Sequence, residues 1–214
     1  MTHLNKKILL SGAGGHMTSV YSCLKNFNDF EVVGYSDLED KNISDLKYLG
    51  RDDDLSALKE SGIDYAFVCV GSVGNPKVRK KIYQNLKNLN FVLPNIIDKT
   101  AVCDTQNLGD NIFIGKTAVV NAGCSIGNMA IINTGAIVEH DCKIGDFVHI
   151  APGSVLCGNC EVGENSHVGA GSVVIQGIKI GKNSVIGAGS VVVKDIPDNV
   201  VAFGNPCKVV RVNE

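Results

Sequence analysis

From Leu108 onward the apolar positions keep a strict six-residue beat. Cut into sixes, the chain reads LGDNIF, IGKTAV, VNAGCS, IGNMAI, INTGAI, VEHDCK, IGDFVH, IAPGSV, LCGNCE, VGENSH, VGAGSV, VIQGIK, IGKNSV, IGAGSV, VVKDIP, and the first residue is Leu, Ile or Val in all fifteen units. The fifth is small or apolar nearly throughout, as at Ala118, Cys124, Ala136, Cys142 and Ser154. A repeat this regular predicts a solenoid in which each unit supplies one short strand and one turn. The first and fifth positions point inward, and Gly at the second position takes the turn. Every third unit shares a character: Leu108, Ile126, Ile144, Val162 and Ile180 are each followed by Gly and then a polar residue. Three units therefore make one 18-residue coil of triangular section, with residues 18 apart stacked at about 4.8 Å.

The first half follows another pattern. Apolar runs at Lys7–Leu10, Phe30–Tyr35 and Tyr65–Val70 alternate with helical spacing through Leu24, over Leu55–Ser61 and over Asn75–Asn90, and Phe91–Leu93 starts a fourth strand. Alternating strands and helices predict an α/β, Rossmann-like domain with a parallel sheet over residues 1–95, followed by a parallel β-helix over 96–214.

Composition narrows the picture. Among 214 residues there are 24 Gly, no Trp and 6% aromatics, which suits tight turns better than a core of large rings. The net charge of −2 comes without a basic block, so neither nucleic acid nor an anionic membrane is implied. No run is long enough to span a bilayer. The N-terminus goes straight into a strand with no secretory signal, and the expectation is a cytoplasmic protein. The eight cysteines do not form a disulfide framework: Cys124, Cys142 and Cys160 stand 18 apart at the inward fifth position, a core column continued by Ile178 and Ile196. Cys157-Gly-Asn-Cys160 has CxxC spacing, but with Cys160 inward and no second pair, no metal is expected.

The third position of each unit takes Asp110, Lys116, Asn128, His140, Asp146, Glu164 and Lys182, so it faces outward. His140 is thus an external imidazole, and neighbouring Asp141 can orient it and raise its basicity. Gly158 stacks one coil away and can offer its N–H to an oxyanion. His149 and His167, also 18 apart, share an outward column. In the first half, Gly12-Ala-Gly14-Gly15-His16 lies between a strand and a helix, a context suited to phosphate binding. The dinucleotide fingerprint would need Gly where the chain has Met17, so NAD is not implied. Ser36 and Asp37 end the second strand and Gly71 the third, at the sheet edge where ligands of open α/β sheets bind.

Ser11-Gly-Ala-Gly-Gly-His16, Val78-Arg-Lys-Lys-Ile-Tyr83, Val138-Glu-His-Asp-Cys142 and Phe203-Gly-Asn-Pro-Cys-Lys208 together resemble the hexapeptide-repeat acyltransferases. Within them, the chain resembles the sialic-acid O-acetyltransferase-like sugar acetyltransferases, whose members N-acetylate UDP-4-amino sugars of the bacillosamine route or GDP-perosamine. The resemblance implies a left-handed helix and a homotrimer with active sites between subunits. It implies acetyl-CoA as co-substrate and a nucleotide-linked 4-amino sugar, UDP-linked first, as acceptor. By position it makes His140 the general base and Asp141 its acidic partner. His149, Ala170 and Ala188 match acetyl-CoA contacts, and Gly14, Gly15 and His16 sugar-nucleotide contacts, with Ser36 and Asp37 meeting the base or ribose beside Gly71. The alternatives are O-acetylation of a sialic acid or other sugar, a metal hydratase on a similar coil, and a non-catalytic sugar-nucleotide sensor.

Overall fold

The computed structural model describes residues 6–213. The chain divides into two compact units: one comprises the chain up to Gly71 together with Lys77–Asn95, the other Ser72–Pro76 together with the chain from Ile96. Among the described residues no helix is long and apolar enough to cross a membrane.

The first unit is a three-stranded parallel sheet of β1 (Lys6–Ser11), β2 (Phe30–Ser36) and β3 (Tyr65–Val68), in the order β2-β1-β3. The central strand buries Ile8, Leu9 and Leu10 completely, as a strand covered on both faces requires. Helix α1 (Gly15–Leu24) buries Met17, Val20, Cys23 and Leu24. Helix α2 (Leu55–Glu60) buries Leu55, and α3 (Lys77–Asn88) buries Arg79, Ile82 and Leu86 at helical spacing. The expected fourth strand is reduced to a single bridge between Val92 and Tyr65. Pro94 follows after Leu93 and has no N–H with which to extend the ladder.

In the second unit the six-residue beat becomes a parallel β-helix with two-residue rungs. Rungs pair 18 apart, as in Ile137 with Val155 and Val155 with Val173. The inward residues of the three sheets, such as Val138, Ile144 and Ile150, are buried, each contributing about 1.5–3 kcal/mol. The three sheets differ outside. A valine face carries Val119, Ile137, Val155, Val173 and Val191 in register. A charged face carries Ser125, Lys143, Glu161 and Lys179. A histidine face carries Ile131, His149, His167 and Val185.

Two sequence-based expectations change here. As far as Gly189 the turning residue is the fourth of the unit, not the second: Asn111, Thr117, Asp141, Phe147, Asn159 and Gly171 all have φ between +56° and +66°. The second-position glycines have ordinary φ and are required by the next coil, since a Cβ on Gly145 would meet Glu164 N at 2.7 Å and one on Gly169 would meet Ala188 N at 2.5 Å. After Val192 the coil shortens, so Ile196 pairs with Ile180 and leaves the cysteine column, which Ile178 alone continues.

Candidate functional site

His140 and Asp141 sit in the turn from the valine face to the charged face, between the rungs Ile137–Val138 and Lys143–Ile144. Both side chains are about two-thirds exposed, and His140 Nδ1 lies 2.9 Å from Asp141 Oδ2. A carboxylate only accepts, so Nδ1 carries the hydrogen and neutral His140 presents a lone pair at Nε2. The hydrogen bond His140 donates to Asp141 raises the imidazole above its ordinary value, against the opposing effect of burial. Asp141 adopts the left-handed conformation (φ +61°), which Asp tolerates better than most residues. Its N–H donates to Ala122 O (3.0 Å), and Asn159 N–H donates to His140 O (2.9 Å), so the turn is tied to the coils below and above.

Two glycines make room for this pair. A Cβ on Gly158 would stand 2.5 Å from His140 Nε2, and one on Gly123 would collide with the Asp141 carboxylate. Gly158 is buried beneath the imidazole. The structure thus brings His140, Asp141 and Gly158 together.

The remaining predicted coil residues lie elsewhere on the same coil. Ala170 and Ala188 are exposed on the turn from the histidine face to the valine face, each followed by a left-handed glycine. His149 projects from the histidine face, its Nδ1 2.9 Å from Ser72 O and its Nε2 3.1 Å from Asn133 Nδ2. Because Asn133 Oδ1 accepts from Thr134 N–H, its amide nitrogen donates to Nε2, which fixes the Nδ1–H tautomer on the Ser72 carbonyl. His167 packs edge-on against His149 at 4.8 Å between ring centroids, but only 7% of it is exposed. The outward column is covered there, since Ser72 meets His149 and Gly74 lies against Val185, the rungs on either side of His167. Burial pulls His167 down to about 4.

The charged face carries an open groove of about 920 Å³. Glu161 bridges Lys143 (3.2 Å) and Lys179 (3.4 Å) inside it, so its charges are largely matched. All eight cysteines are free. Cys160 is buried and Cys157 half-buried, and among the described residues no group of three or more His, Cys, Asp or Glu could hold a metal ion.

In the first unit, a cavity of about 290 Å³ opens at the ends of β1 and β2 beside α3, lined by Ser11, Gly12, Ser36, Asp37 and Lys81 among others. Asp37 accepts from Ala13 N–H and Leu38 N–H, both at 2.7 Å, which pins the loop after β1. Gly14 and Gly15 are exposed with open space about them, and α1 starts without a side-chain cap, a helix N-terminus of the kind that favours an anion. His16 lies against Gly71. These four residues are outside the cavity's lining, which extends instead to Asp52, Val70, Val78 and Ile82. Sequence reasoning missed that side. The only signal was the spacing of Val78, Lys81 and Ile82 on one face of a basic helix.

Residues 7–86 match the PglD N-terminal domain family, and residues 123–158, 141–176 and 159–194 match the bacterial transferase hexapeptide repeat, which makes the coil left-handed. No curated protein sequence matches the chain. Among solved structures, a variant of perosamine N-acetyltransferase from Caulobacter crescentus, in complex with CoA and GDP-perosamine, is 34% identical. It has a TM-score of 0.90, over 95% of this chain and 96% of that one. The acetyltransferase domain of PglB from Neisseria gonorrhoeae, in complex with acetyl coenzyme A, is 33% identical, with a TM-score of 0.89, over 96% and 100% of the two chains. WeeI from Acinetobacter baumannii, at 24% identity and a TM-score of 0.80 over 95% and 99%, shares the fold.

Proposed function

The chain belongs to the acetyl-CoA-dependent sugar N-acetyltransferases of the hexapeptide-repeat type, and from that premise we propose that it acetylates the amino group of a nucleotide-linked 4-amino sugar, with His140 as general base and Asp141 as its partner. Acetyl-CoA supplies the acetyl group. The neutral amine of the acceptor attacks its carbonyl, and the proton that the nitrogen must lose passes to His140 Nε2. Asp141 holds the ring in the tautomer that leaves Nε2 free and steadies the imidazolium once it forms. The Gly158 N–H faces the same space and would meet the negative charge that gathers on the acetyl oxygen. General-base catalysis of this kind contributes about 10²–10⁴-fold.

The observation that carries this reading is the 2.9 Å Nδ1–Oδ2 contact, with Nε2 lying against Gly158. Ala170 and Ala188 fit the acetyl-CoA arm in kind: two methyl-sized side chains stacked between glycines leave a shallow, backbone-lined track. His149 belongs to the same donor site in this reading, with its ring held by Asn133 and Ser72. Gly14, Gly15 and His16 hold the sugar nucleotide's phosphates, and Ser36, Asp37 and Gly71 its nucleoside.

The track and the dyad occupy different corners of one coil, so a complete site needs the neighbouring copy. The valine face offers the surface. Val102 is 56% and Val173 36% exposed on it, whereas a sheet face left in water ordinarily carries polar residues. A homotrimer joined there would set one protomer's dyad beside the next one's track. The reaction belongs in the cytoplasm, where acetyl-CoA and nucleotide sugars are held.

UDP is the nucleotide implied by the family resemblance, and the similarity to an enzyme crystallised with GDP-perosamine supports a GDP-linked acceptor as the second reading. A panel of UDP-, GDP- and dTDP-linked 4-amino sugars, assayed for thiol release from acetyl-CoA, decides between them. His140→Ala should lose nearly all turnover while the trimer survives, and normal turnover in that variant refutes the base assignment.

A further inference from the structure

The corner that carries His140 is built differently from the other two. At those corners several turns close through their own backbone: Ala136 N–H donates to Asn133 O (3.0 Å), Ser154 to Ala151 (3.2 Å), Ser166 to Gly163 (3.3 Å) and Ser172 to Gly169 (3.2 Å). Among the described residues no such bond closes a turn at the His140 corner. There the second-position carbonyl is held from inside the coil by a cysteine of the coil before. The Cys124 thiol donates to Glu139 O (3.1 Å), Cys142 to Cys157 O (3.3 Å) and Cys160 to Ile175 O (3.2 Å).

A trans peptide points its C=O and the following N–H in opposite directions. With the Cys157 carbonyl turned inward onto the buried Cys142 thiol, the Gly158 N–H points outward, beneath the His140 ring. With the Glu139 carbonyl turned inward onto Cys124, the His140 N–H points outward, where the Glu139 carboxylate approaches it at 3.4 Å and is itself held by Asn121 Nδ2 at 2.9 Å. Cys160 N–H donates to the Cys142 sulfur (3.4 Å), which leaves the Cys142 hydrogen for Cys157 O.

We infer that Cys142 and Cys124 are positioning residues of the transfer site: Cys142 aims the Gly158 N–H at the acetyl oxygen, and Cys124 fixes the peptide that carries His140. The inference rests on the function proposed above. Neither thiol touches substrate.

Three replacements at Cys142 separate positioning from packing. Alanine removes the donor and already occupies this position of the unit at Ala118, Ala130 and Ala136. Valine, as at Val148, fills the space without a donor. Serine keeps a donor, and Ser154 and Ser166 reach the corresponding carbonyls at 2.9 and 2.6 Å. Cys142→Ala and Cys142→Val should each lower kcat about 10-fold, a fraction of the 10²–10³ lost when an oxyanion donor is deleted, with KM for acetyl-CoA within about twofold. Cys142→Ser should return kcat to within about threefold of wild type. Cys160→Ala, which removes the same bond one coil beyond the dyad, should lower the melting temperature as Cys142→Ala does and leave kcat unchanged. Equal kcat in Cys142→Ala and Cys160→Ala overturns the inference, as does a serine variant no better than the valine one. Should alanine fail to assemble, the valine and serine pair gives the answer alone. A wild-type enzyme inactive on every amino-sugar acceptor overturns the proposed function and this inference together. An active wild type, a dead His140→Ala and a normal Cys142→Ala overturn this inference only.

Discussion

Gly158→Ala should abolish most activity while leaving the fold intact. The added Cβ would stand 2.5 Å from His140 Nε2, 2.6 Å from Cε1 and 3.1 Å from Cδ2. Ordinary contact begins near 3.4 Å, so the ring must withdraw by about 0.9 Å. It cannot withdraw with its partner in step, because Asp141 already fills the space that Gly123 leaves. The ring must therefore swing, and the 2.9 Å bond to Asp141 stretches or breaks. A displacement near 1 Å at a reacting group costs about 10²-fold in rate, and the loss should fall on kcat rather than on KM for acetyl-CoA. Stability should scarcely change. Gly158 lies outside the left-handed region, so alanine brings no backbone strain, and restricting the unfolded chain is worth about 0.4–1 kcal/mol in the opposite direction. Thiol release under saturating substrates, read beside a thermal melt, tests both halves. A Gly158→Ala enzyme with wild-type kcat would refute the placement of the ring over this glycine as the working geometry.

Other outcomes follow from the same coordinates. Asp141→Asn removes the carboxylate charge that raises His140 through their hydrogen bond, so the acid limb of the kcat/KM profile should move to lower pH as the maximum falls; an unmoved limb assigns that limb to another group. His167 is held neutral by burial at about 4 against an ordinary 6.5, so the unfolded chain binds its proton first. Stability is full above pH 6.5 and declines as pH falls toward 4, by up to roughly 3 kcal/mol. His167→Leu should flatten that decline in denaturant melts between pH 7 and 4, and an unchanged slope places the acid sensitivity elsewhere. Val155→Asp sets a charge in the middle of the valine face; light scattering should show protomers in place of the proposed trimer, with activity lost, and an intact trimer means that another face joins the copies.

The coil and its outward chemistry were legible because a six-residue register assigns every side chain a direction. His140 could be read as external from the charges that share its position, and Asp141 as its partner from adjacency. The register does not say why a glycine is needed. The second-position glycines read as turn formers, whereas they make room for the backbone of the next coil, and the left-handed residues stand two positions later. Nor does it say what an inward cysteine does with its hydrogen. Cys142 reads as a small core residue until the Cys157 carbonyl is seen to face it. The fourth strand failed for a local reason, Pro94. The cavity side formed by Asp52, Val70 and Lys81 was illegible for a non-local one: the three come from separate segments that no sequence period connects.

An 18-residue coil gives each site residue two fixed neighbours, one 18 positions before it and one 18 after, and tuning the site is then a matter of choosing those neighbours. On the coil before Asp141 the chain places Gly123, and on the coil after His140 it places Gly158, so the dyad has space on both sides at no cost to the rungs. The inward position of the same corner carries cysteine in three successive coils, whereas the other two corners carry Ala, Val, Ile or Ser. Several turns of those corners close through their own amides, and this corner gives up that closure. Its second position is also freed from glycine, which is what allows Glu139 to stand beside His140 and Asn121 beneath Glu139. The thiols recover the lost carbonyl bonds from inside. The cysteine column is confined to one edge of the coil, with rungs on either side of it, and it leaves the buried columns of the other two corners unchanged.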